Sequence, residues 1–360
     1  MSRFVICGDW VLDPKVGVQR YAAQLLRELD LRVKAGRTPH RFELLVPEEA
    51  EQIPTLSAIP AVRRGSAASK LSRYFWQQKV FPAYARVSHA MGIDLALALP
   101  VRGCRVSAVH DCIVESFPEN FSDHRLYALS YRIRVHAATS DPDRVILTVS
   151  ETSRKEIERR YPKSRGRIRV VSDGWEHMQR IEEDDSVFRR LGIDPAQPYF
   201  FSLGSRYRHK NIEWVLGAAV RNPHALFVIT GANLDHKEQE RLDGARRSNV
   251  RFTGYVSDAE MKALMKNSRA LIQPSLYEGF AIPPLEALSL GTPVILSRTS
   301  CLPEIYGSAA HYIDPMNSDC DLDALLREPV ESAAPVLSRY TWSNACEKLL
   351  GVLDSLNGEM

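Results

Sequence analysis

Residues 274–288 read Pro-Ser-Leu-Tyr-Glu-Gly-Phe-Ala-Ile-Pro-Pro-Leu-Glu-Ala-Leu. A short apolar run, which is typical of a buried strand, ends at Pro274. A turn follows at 278–279, and a helical pattern opens at 283–284, where two prolines lack N–H groups that the first turn of a helix leaves unbonded anyway. This order of strand, turn and helix indicates an α/β fold with parallel strands.

The turn and the start of the helix form a candidate binding site. We expect the N–H groups of Phe280, Ala281 and Ile282 to be free at the positive end of the helix, where they suit a diphosphate. Glu286, in the first turn, can accept hydrogen bonds from a vicinal diol such as a ribose. Glu278 lies where a sugar attached to that diphosphate would be. The alternative is an ordinary helix start with a favourable glutamate.

A basic loop, Leu-Gly-Ser-Arg-Tyr-Arg-His-Lys-Asn at 203–211, follows another predicted strand. Gly204 allows a close backbone approach, and Arg206 and Lys210 can reach the same phosphates. The alternative is a solvated surface loop. The residues that we expect to be solvated in either case are Arg208 and His209.

Short apolar runs alternate with helical patterns along the whole chain, which predicts two doubly wound α/β domains. The predicted strands are 3–7, 41–46, 93–99, 105–109, 144–149, 168–171, 199–203, 225–230, 250–252, 270–273 and 293–297. The predicted helices are 17–30, 123–138, 152–160, 210–219, 257–267 and 283–290.

The length of 360 residues also favours two domains. An acidic run at 182–185 and prolines at 195 and 198 place the break near 175–195. We therefore predict domains at 1–180 and 181–360. The last helical pattern, 342–356, could pack on either of them.

Composition excludes several classes of protein. The chain is 44% hydrophobic and 25% charged, which indicates a globular protein, and it has no long apolar run. Its start becomes acidic too soon for a signal peptide, and its six cysteines lack a disulfide or zinc spacing, so we expect a cytoplasmic protein. Residues 1–180 carry 29 Lys and Arg against 20 Asp and Glu, which suggests an anionic partner for that half.

Two positions in the first half are candidate ligand contacts. His110 follows the strand predicted at 105–109, and Gly17 stands where a loop enters the first helix and would let a ligand approach the backbone. The alternative for His110 is a buried histidine with its hydrogen bonds satisfied.

Four separated motifs carry a resemblance. They are Gly-Val-Gln-Arg-Tyr at 17–21, Val-His-Asp at 109–111, Gly-Ser-Arg-x-x-x-Lys-Asn at 204–211 and Glu-x₇-Glu at 278–286. Together they resemble the retaining family-4 glycosyltransferases of the GT-B fold, and most of all bacterial mannosyltransferases of surface-polysaccharide assembly. The resemblance implies two Rossmann-like domains facing across a cleft. The first would bind the acceptor and the second a nucleotide-sugar.

The resemblance also implies roles for residues. Glu278 would contact the donor sugar, Glu286 the ribose, and Tyr255 and Val256 the base. Ala281 departs from the family, in which many members have glycine. The residues to which the resemblance assigns donor binding are Gly17, Gly204, Tyr255, Val256, Gly279, Phe280, Ala281, Ile282 and Glu286. Those expected to be catalytic are His110, Arg206, Lys210 and Glu278.

Transfer with retention of configuration is the mechanism that the resemblance implies, and we assign no protein nucleophile. Fixed positive groups aimed at the leaving diphosphate should make the largest contribution to the rate enhancement. With Arg206 and Lys210 in that role, no metal ion or other cofactor is expected. The Asp-x-Asp strings at 141–143 and 319–321 are interpreted as turns.

Residues 61–90 combine basic and aromatic side chains without any Asp or Glu. This composition suits an anionic membrane surface, where the acceptor would be a saccharide or a polyprenyl-diphosphate-linked saccharide. It also suits single-stranded nucleic acid, or an ordinary helix with its aromatic residues in the core. The candidate membrane or acceptor contacts are Arg63, Arg64, Lys70, Arg73, Trp76 and Lys79.

The leading hypothesis is therefore a retaining glycosyltransferase, with GDP-mannose as the best candidate donor. UDP-glucose, UDP-galactose and dTDP-sugars stay open, as does a sugar-nucleotide epimerase or a phosphorylase. A nucleic-acid-binding protein that uses 61–90 is the alternative outside enzymes, but the two glutamates beside an anion site speak against it. A dehydrogenase is disfavoured because no Gly-x-Gly-x-x-Gly follows the first strand.

Overall fold

A computed structural model describes residues 1–13, 17–96, 103–194, 196–204, 207–231 and 249–356. The chain divides into two compact units. The N-terminal unit is Met1–Asp173 together with Trp342–Met360, and the C-terminal unit is Gly174–Thr341. The boundary thus falls after Asp173 rather than after residue 180, and the last helix belongs to the N-terminal unit.

The N-terminal unit contains a seven-stranded parallel sheet in the order β3-β2-β1-β4-β5-β6-β7. Its strands are apolar and buried because helices cover both faces of such a sheet. They are β1 (Arg3–Cys7), β2 (Arg41–Val46), β3 (Ala61–Arg63), β4 (Met91–Asp94), β5 (Cys104–Ala108), β6 (Val145–Thr148) and β7 (Ile168–Val170).

The long first helix of the N-terminal unit buries one apolar side. In this helix Tyr21, Leu25 and Leu29 are buried at the helical period, as predicted. The helices are α1 (Gly17–Lys34), α2 (Lys70–Phe75), α3 (Phe81–Val87), α4 (Ile113–Ser116), α5 (Arg125–Ser140) and α6 (Glu151–Arg160). The C-terminal helix (Trp342–Ser355) packs on α1, where the rings of Trp342 and Tyr21 lie 6.1 Å apart.

The C-terminal unit contains a six-stranded parallel sheet in the order β10-β9-β8-β11-β12-β13. Its strands are β8 (Tyr199–Leu203), β9 (Leu226–Thr230), β10 (Val250–Gly254), β11 (Ala270–Gln273), β12 (Val294–Ser297) and β13 (His311–Ile313). Its helices are α7 (Ser186–Leu191), α8 (Ile212–Arg221), α9 (Asp258–Lys266), α10 (Ile282–Ser289), α11 (Leu302–Tyr306), α12 (Leu322–Arg327) and α13 (Ala334–Arg339).

Two strands, β3 and β13, were not predicted. Each has three residues and lies at the edge of its sheet, so it is too short to show a period. Part of the strand predicted at 93–99 lies outside the described residues. All six cysteines lie in the described part of the chain and none forms a disulfide. Within that part, no helix has the length and apolar character needed to cross a membrane.

Candidate functional site

The N-terminus of α10 presents unbonded N–H groups. Its N-cap, Ala281, has a positive φ of 71° and provides no side-chain cap. The hydroxyl of Tyr306 donates to the Ala281 carbonyl and fixes this turn. Among the described residues, no acceptor pairs with the backbone N–H groups of Phe280, Ala281 or Ile282, although all three residues are buried. Buried N–H groups of this kind normally have a partner, so the geometry fits an anion.

The helix begins at Ile282 rather than at the two prolines that follow it. Glu286 is therefore the fifth helical residue, one position further along than a start at Pro283 would place it, and lies just past the first turn. Its carboxylate is buried, and Oε1 lies 2.7 Å from Nε2 of His177.

Glu278 is the centre of a hydrogen-bond network in the turn before α10. Its Oε1 accepts bonds from Nζ of Lys210 at 2.8 Å, Nε2 of Gln273 at 2.8 Å and Oγ of Ser275 at 2.7 Å. Its Oε2 lies 3.1 Å from the same Nζ. Burial alone would raise the pKa of Glu278, but Lys210 and the hydrogen bonds outweigh it and the pKa is lowered. The carboxylate is therefore charged at neutral pH.

Two hydrogen bonds to backbone carbonyls hold the basic loop against this turn. The carbonyl of His209 accepts a bond from the Leu276 N–H at 2.7 Å, and Nδ2 of Asn211 donates to the Pro274 carbonyl at 3.0 Å. The prediction that His209 is solvated was wrong: it is buried, and burial and Lys210 lower its pKa to about 4. Arg206 lies outside the described residues.

Other candidate donor contacts stand at the same edge of the sheet, where parallel strands end. Gly204 follows β8, and its N–H donates to the Thr230 carbonyl at the end of β9. Tyr255 is exposed and Val256 is half-buried, and both follow β10. Gly279 directly precedes the unbonded N–H groups at the start of α10. The structure thus brings those candidate residues of the C-terminal half that it describes to one edge of the sheet.

The N-terminal unit has a cavity of about 600 Å³ at the carboxyl ends of β1, β4 and β5. This lies at the topological switch point between β1 and β4, where ligands of such sheets bind. Its lining includes carboxylates, an amide and aromatic rings: Asp9, Asp13, Gln77, His110, Phe121, Tyr127 and Tyr131. Gly17 is the first residue of α1, and an added Cβ there would meet nothing within 4 Å.

Arg73 in this cavity is already paired. Its Nε lies 2.8 Å from Asp9 and its Nη2 lies 2.7 Å from Asp13, so Arg73 is held in the cavity lining, and its acceptor or membrane contact stays a prediction. Trp76, the aromatic candidate of the same segment, is fully buried and donates to the Arg64 carbonyl at 2.6 Å. The candidates of 61–90 that remain exposed are Arg63, Arg64, Lys70 and Lys79.

His110 lies beside this cavity as a neutral imidazole. Burial lowers its pKa to about 4, although its ring nitrogen Nε2 lies 3.4 Å from the Leu95 carbonyl. Tyr21 packs edge-on against the ring at 4.7 Å. At pH 7 the ring can donate or accept a hydrogen bond to a ligand, but it carries no charge.

Both Asp-x-Asp strings have local structural partners. Asp141 accepts the Asp143 N–H, and Asp321 caps α12 through the Ala324 N–H. In the described ranges, no group of three or more His, Cys, Asp or Glu side chains could hold a metal ion.

Part of the chain is similar to known glycosyltransferases. Residues 183–331 match the family described as glycosyl transferases group 1. The chain is 30% identical over 224 residues to O-antigen chain mannosyltransferase B of Escherichia coli, covering 59% of this chain and 58% of that protein. It is 25% identical over 246 residues to O-antigen chain mannosyltransferase RfbU of Salmonella typhimurium, covering 67% and 65%. The chain thus spans about three fifths of the length of these curated relatives.

Among solved structures, sucrose-phosphate synthase from Thermosynechococcus elongatus superposes with a TM-score of 0.75 at 15% identity over 100% of both chains. This likeness and the two parallel α/β units identify the fold as GT-B, as predicted. The C-terminal unit contains a glycosyl transferases group 1 domain, which confirms the family resemblance.

Several site residues gave no signal in the sequence. Gln273 ends the strand predicted at 270–273 and Ser275 lies in the segment 274–288, but only the structure shows that both donate to Glu278. His177 and Asp9 meet their partners across long sequence separations, which periodicity cannot reveal.

We predict that His110 makes the N-terminal unit less stable in mild acid. Its pKa is about 4 when folded and near 6.5 when unfolded, so the unfolded chain binds the proton more readily and stability falls as pH drops from 6.5 towards 4. Urea unfolding at pH 7 and pH 4.5 gives the free energy of unfolding at each pH. Between these two pH values, the free energy of unfolding of His110→Gln should fall by about 1–3 kcal/mol less than that of the parent protein. An equal loss in both proteins would contradict the burial of a neutral ring.

Proposed function

We propose that this chain is a retaining, metal-independent glycosyltransferase. It takes a sugar from a nucleotide-sugar and passes it to a saccharide or a lipid-linked saccharide. The observation that carries the proposal is the ion pair of the buried Glu278 with the half-buried Lys210, beside the unbonded N–H groups at the start of α10. A group 1 domain at residues 183–331 supports the same reaction class.

The leaving diphosphate is the group that this site would stabilise. Cleavage of the anomeric C–O bond leaves negative charge on the diphosphate, and N–H groups already aimed at that charge need no reorganisation. Lys210 lies beside them, and Arg206 is proposed as the second cation. The acceptor would attack from the same face as the diphosphate leaves, and the phosphate would take the acceptor's proton.

Glu278 is suited to hold the donor sugar. Its Oε1 already has three partners, whereas the only partner of Oε2 among the described residues is Lys210 at 3.1 Å. A carboxylate oxygen has two lone pairs, so Oε2 can accept a bond from a sugar hydroxyl. The ion pair and the sugar contact are therefore compatible.

The proposed donor is GDP-mannose, because two curated relatives are named O-antigen chain mannosyltransferases. The proposed acceptor site is the cavity of the N-terminal unit. The oxygen atoms of its carboxylate and amide groups have further lone pairs that can accept hydrogen bonds from sugar hydroxyls, and its aromatic rings offer apolar faces for a sugar ring.

A panel of GDP, UDP and dTDP tests the donor site. One of the three should raise the melting temperature by roughly 5–10 °C at a hundredfold excess over its Kd, because a ligand that binds only the folded state stabilises it by about 2.7 kcal/mol. GDP is the expected nucleotide, and GDP-mannose should then be the donor that is consumed when an acceptor saccharide is present. No shift with any of the three nucleotides would contradict the proposal.

Substitutions of the ion pair test the two roles separately. Lys210→Ala should lower kcat by about 10²–10³-fold because the leaving diphosphate loses a charged donor. Glu278→Gln should lower kcat as well, but it should bind the nucleoside diphosphate at least as tightly, since a negative charge near the phosphates is removed. Turnover in EDTA should equal turnover without it.

Lys266→Ala is the matched control, because Lys266 also forms an ion pair with a glutamate, Glu183, on the surface of the same unit. It should leave kcat unchanged. Weaker nucleotide binding in Glu278→Gln, or loss of turnover with EDTA, would refute the assigned roles.

An anionic membrane surface is the proposed partner of the N-terminal unit. Two helices that line the cavity, α2 and α5, carry large exposed apolar side chains. Neither helix contains Asp or Glu, and α5 has three arginines. The exposed apolar residues are Leu71, Tyr74 and Phe75 on α2, and Leu126, Tyr127, Leu129 and Ile133 on α5. Basic and apolar groups together favour an anionic bilayer.

Co-sedimentation with phosphatidylglycerol vesicles tests this partner. The protein should pellet at low salt and be released at high salt, and it should not pellet with phosphatidylcholine. Changing Leu126, Leu129 and Ile133 to serine should weaken binding by about tenfold or more, since each change removes an exposed apolar side chain that the bilayer would bury. Met316→Ser, at a residue 81% exposed in the other unit, is the control. Protein that stays in solution at low salt would contradict membrane contact.

A further inference from the structure

His177 and Glu286 form a buried pair in the C-terminal unit. The side chain of His177 is 3% exposed and that of Glu286 is 2% exposed, and Nε2 lies 2.7 Å from Oε1. His177 belongs to a 3-10 helix (Glu176–Arg180) just after the unit boundary, whereas Glu286 lies on α10. A buried carboxylate needs such a partner, because an unpaired charge in this position would be costly.

We propose that His177 is a positioning residue that orients the Glu286 carboxylate towards the ribose of the donor nucleotide. The inference rests on the proposed function. With a proton on Nε2, the imidazole donates to Oε1 and fixes the plane of the carboxylate. A glutamate side chain has three torsions, and a vicinal diol needs acceptors at defined positions, so a fixed carboxylate binds the diol with less loss of entropy.

The position of Glu286 on α10 supports a ribose ligand. It lies four residues after Ile282, and therefore about 6 Å along the helix axis from the unbonded N–H groups. A diphosphate at those groups would have its ribose attached directly to it, within reach of the same helix. His177 is a buried partner that already contacts this carboxylate without any ligand.

Paired ligands distinguish positioning from a general structural role. GDP and 2′,3′-dideoxy-GDP differ only in the hydroxyls that Glu286 would bind, and UDP with its dideoxy form is the second pair. The parent protein should prefer the ribose form by about tenfold or more, because a hydrogen bond to a charged group is lost in the other. His177→Phe should reduce this preference to about twofold, and it should change the affinity for the dideoxy form little. The effect of the substitution then depends on the ribose hydroxyls, which means that His177 and the ribose contact are coupled.

Each outcome decides the inference. An equal loss of affinity for both ligands in His177→Phe means that His177 only supports the fold, and overturns the proposal, as does an unchanged preference. A parent protein that binds neither ligand contradicts the proposed function itself. One that binds both equally contradicts the role of Glu286 and removes the reason for His177. If His177→Phe does not fold, His177→Gln carries the test: its amide should keep a preference of at least about threefold, and an equal loss for both ligands again overturns the proposal.

Discussion

The carboxylate of Glu278 is the group on which the arrangement of the C-terminal unit depends. Gln273 at the end of β11, Ser275 in the turn and Lys210 after β8 all donate to it. Because β8 and β11 are neighbouring parallel strands, their carboxyl ends lie side by side, and one buried charge can join the two loops that follow them. The start of α10 is placed by the same turn.

This pairing changes the electrostatic picture that the sequence suggested. Lys210 was expected to act as a cation for phosphate, but it forms a pair with Glu278, and the pair has no net charge. The attraction for an anion therefore comes mainly from the N–H groups of 280–282, which the positive φ of Ala281 turns into position. Lys210 is then a local donor with a fixed place, which is what a preorganised site requires.

Sequence reasoning succeeded where one local pattern determines the structure. The predicted ranges of four strands match the structure: β1, β2, β8 and β11. A short apolar run between two helices buries its side chains on both faces when it forms an internal strand of a parallel sheet. Sequence reasoning left alternatives open at 61–90, where composition cannot tell which side of a helix faces the core. Trp76 and Phe81 are buried there, whereas Tyr74 and Phe75 are exposed. The apolar surface of α5 was missed because a basic helix with scattered leucines resembles an ordinary amphipathic one.

The contacts that sequence could not reveal share a physical character. Lys210 with Glu278, His177 with Glu286 and Arg73 with Asp9 each join residues 64 to 109 positions apart. Polar pairs with a buried carboxylate add little net stability compared with apolar packing, but breaking one is costly. They therefore act as constraints that fix particular side chains rather than as a source of folding energy. Each lies at a proposed ligand site, where the fixed position of a side chain matters more than its contribution to folding stability.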